Sequence, residues 1–183
     1  MPLDSAVRGR WSVLEYLGRP ANSRKVLIVG CGTTPQHVTM GSGAMTIPGI
    51  ACSLGRAHSR DFTLDVSADA GADLVIDLVT FHGTELGQYG YGRFDQVDFE
   101  YLNRGPAQPF SDQHIRLWID AADKLLKPGG KIVFYSGSTQ YRNVAKSRMV
   151  ELGYRCAEEA LKPDGTPGNK YGHIFCYGVK KGR

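Results

Sequence analysis

The chain has 183 residues, is 42% apolar and carries a formal charge of +4 at pH 7, enough for one domain with a buried core, since a single core serves roughly 100–200 residues. No run approaches the ~20 apolar residues of a membrane span, and the basic residues are scattered apart from Lys180-Lys181-Gly182-Arg183, so a nucleic-acid partner is permitted and not implied. Cys31, Cys52, Cys156 and Cys176 form neither a Cys-x-x-Cys pair nor a zinc-spaced cluster, so reduced thiols in a cytoplasmic setting are expected, with no metal site.

The opening Met1-Pro2-Leu3-Asp4-Ser5 lacks a basic region followed by an apolar stretch, so no secretory leader is expected there. Residues 4–18 carry Val7, Trp11, Leu14 and Leu17 at helical spacing, with Gly18 and Pro20 ending the segment. A helix and linker over 1–23 therefore precede a core over 24–179. Lys25 to Val29 is a continuous apolar strand, the pattern of a central parallel strand buried on both faces. It breaks at Gly30-Cys31-Gly32-Thr33, where glycine lets the main chain approach a ribose or phosphate. From Thr34 to His58, Gly41-Ser42-Gly43 and Pro48-Gly49 interrupt any helix, which predicts a long loop over the ligand site.

Asp61, Asp65, Asp69, Asp73 and Asp77 follow at four-residue spacing. On one helix they would line one face with like charges, so two short strands are expected instead, 62–66 and 72–77, joined by 67–71. A calcium loop starting at Asp65 is excluded because its sixth position is Ala70 and its twelfth is Ile76. Residues 81–93 predict a loop or broken helix, and 94–102 a strand. Ser111 caps a helix with the stripe Ile115, Trp118, Ile119, Ala122, Leu125 and Leu126. Lys127-Pro128-Gly129-Gly130 ends it, and a strand follows over 131–136. A helix over 139–152 turns Tyr141, Val144, Ala145, Met149 and Leu152 inward, and two strands near 154–161 and 171–179 close the chain.

Alternating strands and helices imply an open α/β sheet whose ligand lies outside the carboxyl ends of the strands. Gly30 and Gly32 end the first strand, Asp65 the second and Asp77 the third. An acid at the end of the second strand can accept both hydroxyls of a ribose.

With these residues the chain resembles the class I S-adenosylmethionine-dependent methyltransferases. The resemblance is carried by Val26-Leu27-Ile28-Val29-Gly30-Cys31-Gly32-Thr33, Leu64-Asp65-Val66, Asp73-Leu74-Val75-Ile76-Asp77-Leu78, Phe94-Asp95-Gln96-Val97 and, most tellingly, Leu125-Leu126-Lys127-Pro128-Gly129-Gly130-Lys131-Ile132-Val133. The short first crossover around Ile47-Pro48-Gly49 is similar to a subgroup of that family. The resemblance implies a Rossmann-like, mostly parallel twisted sheet of about seven strands, a C-terminal antiparallel hairpin and helices on both faces. It implies S-adenosyl-L-methionine as cofactor, and a methyl acceptor that the sequence does not identify. It assigns Gly30, Cys31, Gly32 and Thr33 to the methionine and ribose, Asp65 with Val66 to the ribose region, and Asp77 with Leu78 to the adenine. His37 would line the same pocket, and Glu100 and Tyr101 would face the methyl group. Glu100, Tyr101 and His82 are the candidate acid/base residues. Ile28 stands where the family usually has an acid, Thr34 where it has a third glycine, and Phe99-Glu100-Tyr101-Leu102 replaces an Asn-Pro-Pro-Tyr-type signature, which argues against a base-methylating enzyme of the usual kind. Two other readings stay open: a nucleoside-binding module of the same fold without transfer, and an NAD-binding oxidoreductase, against which Pro35 occupies the third glycine position of the dinucleotide fingerprint.

Overall fold

The computed structural model describes residues 11–30, 61–100, 102, 108–161 and 173–182. Helix α1 (Val13–Leu17) begins at Ser12, whose extended backbone and side chain cap it. The Ser12 hydroxyl accepts from the Glu15 amide and the Glu15 carboxylate accepts from the Ser12 amide, so two donors that a helix start leaves orphaned are satisfied reciprocally. Trp11, expected within the helix, therefore precedes it; residues 4–10 of the expected helix lie outside the described residues. Strand β1 (Val26–Val29) is buried throughout, as its unbroken apolar run requires.

The aspartate series is not one helix: Asp65 ends one short strand, Asp61 and Asp73 precede strands, Asp69 lies in a 3-10 turn and Asp77 caps a 3-10 helix. β2 (Phe62–Asp65) and β3 (Leu74–Val75) flank a 3-10 turn over Ala68–Ala70. β3 is shorter than the expected 72–77 because its flanking aspartates bond through their side chains. Asp73 Oδ2 accepts from the amide and hydroxyl of Thr63 on β2, and its Oδ1 from the Trp11 amide. Asp77 turns away as the cap of a 3-10 helix, Leu78–Gly83. Helix α2 (Glu85–Tyr89) follows, so the segment before β4 (Phe94–Glu100) is a broken helix.

Helix α3 (Asp112–Leu125) is capped by Ser111 and buries Ile115, Trp118, Ile119, Ala122 and Leu125, the expected stripe. Leu126 instead opens β5 (Leu126–Tyr135), which starts five residues before the expected 131. The Lys-Pro-Gly-Gly segment stays in the sheet through an irregularity opposite Phe94 and Gln96. Gly129 adopts φ +81° and donates to the Lys180 carbonyl, a left-handed kink that glycine takes without steric cost. Helix α4 (Thr139–Glu151) and strands β6 (Arg155–Leu161) and β7 (His173–Val179) complete the order.

The seven strands run β3-β2-β1-β4-β5-β7-β6, with β7 antiparallel to both neighbours and the β3 to β5 block parallel. The main core lies on one face, where Leu27, Val29, Leu64, Val97, Phe99, Ile132 and Phe134 meet α1, α3 and α4. Strand alternation puts Gln96, Asp98 and Glu100 of β4 on the opposite face, between Val26 and Ile28 of β1 and Val133 and Tyr135 of β5. Asp98 and Glu100 are buried there. Gln96 donates to Asp98 Oδ1 at 2.6 Å and accepts from the Arg24 guanidinium.

Candidate functional site at the carboxyl edge

Strand order reverses between β1 and β4, and a ligand crevice in an open α/β sheet forms outside the carboxyl ends of strands at such a reversal. Gly30 stands at that point. Its φ is +79° and its amide donates to the Leu64 carbonyl at 2.8 Å. A β-carbon on Gly30 would lie 2.3 Å from Leu102 Cδ2 and 3.2 Å from the Glu100 carbonyl oxygen. Left-handed backbone costs an L-residue roughly 1–2 kcal/mol, and here the neighbour would have to move as well. The turn thus draws together the ends of β1, β2 and β4.

Asp65, one residue past the carbonyl that Gly30 binds, is half-buried, and its Oδ1 accepts from the Ser67 amide at 2.9 Å. The resulting turn leaves Val66 69% exposed beside it. Glu100 ends β4 with its side chain buried. Of the expected site residues, Gly30, Asp65, Val66 and Glu100 therefore come together at this edge. Cys31, Gly32, Thr33, His37 and Tyr101 lie outside the described residues.

Asp77 also reaches the carboxyl edge, but three donors of the chain engage its carboxylate. Oδ1 accepts from the Val79 amide at 3.2 Å and from Trp118 Nε1 at 3.0 Å, and Oδ2 lies 2.9 Å from His114 Nε2. Leu78 is fully buried in the core. His82 is not brought to Gly30: its Nδ1 lies 2.5 Å from the hydroxyl of Tyr91, just ahead of β4 at the opposite edge of the sheet, and its ring packs on Phe81. The sequence reading missed His114 and Trp118, which pin α3 to Asp77 with their rings edge to face at 4.7 Å. Their four-residue spacing at the start of a capped helix was the available signal, since it puts both side chains on one helix face.

Burial raises the Cys176 thiol to about 12 and lifts Cys156 as well, so neither is primed as a nucleophile. Among the described residues no His, Cys, Asp or Glu side chains converge as a metal ion requires, and no helix is long and apolar enough to cross a membrane.

No protein-family profile matches the sequence, and no curated protein does. Solved structures match in fold. A SAM-dependent methyltransferase from Archaeoglobus fulgidus aligns with a TM-score of 0.54 at 11% identity, over 87% of this chain and 87% of the other. Geranyl diphosphate C-methyltransferase from Streptomyces coelicolor A3(2), solved with Mg2+, geranyl diphosphate and S-adenosyl-L-homocysteine, aligns with a TM-score of 0.50 at 12% identity, over 91% and 74% of the two chains. The chain has the class I methyltransferase fold. At these identities the likeness is one of architecture. Within this class I fold, Gly30, Asp65 and Glu100 occupy the ends of the three strands around the reversal.

Proposed function

We propose that the chain binds S-adenosyl-L-methionine at the carboxyl ends of β1, β2 and β4 and transfers its methyl group to an acceptor, with residues 24–179 acting as one core. The observation that carries this reading is the Gly30 turn locked onto Leu64, which aligns the end of β1 with Asp65 at the point of strand reversal. The residues at this edge fit the cofactor in chemical type. A half-buried carboxylate suits vicinal ribose hydroxyls, and the exposed Val66 beside it offers an apolar surface to the flat base. Asp77 fits less well, because an adenine amino group would compete with His114 and Trp118 for its oxygens. This reading therefore assigns the base to Val66 and leaves Asp77 to fix α3.

When bound, the cofactor supplies a methyl group on a positively charged sulfur, ready for in-line displacement. The chain's task is alignment, which supplies much of the acceleration in such reactions. Asp65 would hold the ribose, and the glycine turn would let the main chain approach closely. Glu100, at the buried end of β4, is the described candidate for holding or accepting a proton of the acceptor. A reducing, cytoplasmic setting belongs to the same proposal.

Calorimetric titration with S-adenosyl-L-homocysteine and with NAD tests the assignment. Binding of the former is expected, and Asp65→Ala is expected to weaken it by about 1.5–3 kcal/mol, the range for lost hydrogen bonds to a charged group. Binding of NAD in its place would select the oxidoreductase reading. Transfer of labelled methyl into a cell extract then separates an enzyme from a binding module, which would bind without transferring.

A further inference from the structure

The amino edge of the sheet, opposite Gly30 and Asp65, gathers the cations that the sequence scatters. Arg24 precedes β1, Arg93 precedes β4, Lys127 lies at the start of β5, and Lys180 and Lys181 follow β7. Those four strands are consecutive neighbours in the sheet. Strands lie about 4.8 Å apart, so the cations form a row about 15 Å long with at least one positive charge per strand. Hydrogen bonds hold the row in register: the Gly129 amide donates to the Lys180 carbonyl, the Lys180 amide to the Gly130 carbonyl, and the Arg93 amide to the Leu125 carbonyl.

Two carboxylates pair with this row, and Asp61 and Asp73 precede the next strands along, β2 and β3. Asp95 lies 3.2 Å from Lys127 Nζ, and Asp123 lies 3.3 Å from Lys180 Nζ. Arg93, Lys124 at the end of α3, and Lys181 are exposed and make no ion pair among the described residues. Lys25 is held below the usual ammonium range first by burial and then by the charges of Arg19 and Lys127, which outweigh the opposing effect of Asp95. Aromatic rings stand among these charges. Tyr91, two residues ahead of Arg93, is 47% exposed. Tyr177, half-buried on β7, lies under Lys131 Nζ at 4.5 Å from the ring centre.

We propose that this amino edge is a docking surface for single-stranded nucleic acid. A single file of charges with a regular repeat complements a linear polyanion better than a plane of lipid headgroups, and an exposed tyrosine ring beside it gives a base a face on which to stack. The surface lies on the edge opposite the proposed cofactor site, so the two proposals fail independently.

Fluorescence anisotropy of a labelled oligouridylate of about 20 nucleotides, longer than the ~4–16 that an OB-fold covers, tests the proposal on the full chain. Three or four phosphate contacts predict that affinity falls about 20–50-fold between ~50 and ~200 mM salt. The variant R93E/K124E/K181E, which changes no side chain with an ion pair among the described residues, should weaken binding more than about tenfold at low salt and flatten the salt dependence. Its circular dichroism and its binding of S-adenosyl-L-homocysteine should match the parent chain. Should the triple variant fold poorly, Arg93→Gln and Lys181→Gln singly are each expected to cost about threefold and to reduce the salt slope. Three results would overturn the proposal: no anisotropy change at low salt, a change that the charge variants leave untouched, or binding to phosphatidylserine vesicles without binding to the oligonucleotide.

Discussion

Asp65 and Asp77 stand twelve places apart in sequence, the first closing β2 and the second two residues beyond β3, and their surroundings give them different work. Asp77 accepts from the Val79 amide and the Trp118 indole and pairs with His114. Removing it strands three partners in a half-buried place, where each unsatisfied group costs about 1–3 kcal/mol. Asp77→Ala should therefore lower the thermal midpoint more than Asp65→Ala does, while Asp65→Ala should be the one with the larger effect on S-adenosyl-L-homocysteine affinity. Melting curves and calorimetry on the two variants check both halves. Gly30 and Asp65 were legible in the sequence because a strand end is a local event, marked by where an apolar run stops. The role of Asp77 was not, because its partners His114 and Trp118 arrive from 37 and 41 residues away. The contact of His82 with Tyr91, nine residues on, was likewise not legible in its neighbourhood of the chain.

At the scale of elements, α3 and α4 are clamped by ions across their exposed flanks. Glu151 accepts from Arg116 at 2.8 Å and from Arg148 at 2.8 Å, and Arg148 also donates to Asp120 at 2.6 Å. Hydrogen bonds from Arg116 first and Arg148 second pull the Glu151 carboxyl down to about 2. Its folded value lies below its unfolded one, so its contribution is complete above about pH 4.5 and is lost as pH falls toward 2. The pair is exposed and the effect is modest. Glu151→Gln is expected to flatten the dependence of the thermal midpoint on pH across that window, with little change in its slope above pH 5. The helices themselves were readable from spacing and caps, α3 to the residue at its start. Two features of these elements escaped. Arg142 is buried in α4 because its guanidinium donates to the Ser136 carbonyl and to Glu158 on β6, a tertiary partnership that no periodicity encodes. The early start of β5 escaped because Pro128-Gly129-Gly130 reads as a breaker, whereas pairing with β4 and the Lys180 bonds hold it in the sheet.

At the scale of the whole molecule, the proposed cofactor site draws on three strand ends, so occupying it should stabilise the fold rather than one loop. S-Adenosyl-L-homocysteine at about 100 times its Kd should add ~2.7 kcal/mol, a rise of about 5–10 °C in Tm for a chain of this size. Differential scanning fluorimetry against ligand concentration measures it, with NAD as the control expected to leave Tm unchanged. The parallel order of the first five strands followed from alternation of strands and helices. The place of β7 did not, since two closing strands can pair in either order, and the resemblance to a known family supplied the expected hairpin. That inserted strand also decides what the rims of the sheet are made of. One rim is β3, only two residues long. The other is β6, which bonds β7 on one side and carries exposed Arg155, Glu158 and Glu159. Short or charged rims are how β proteins resist joining sheet to sheet. By taking the inner place, β7 keeps its apolar Ile174, Phe175 and Cys176 off the rim, and among the described residues a second copy of the chain meets no long, flat, uncharged strand to extend.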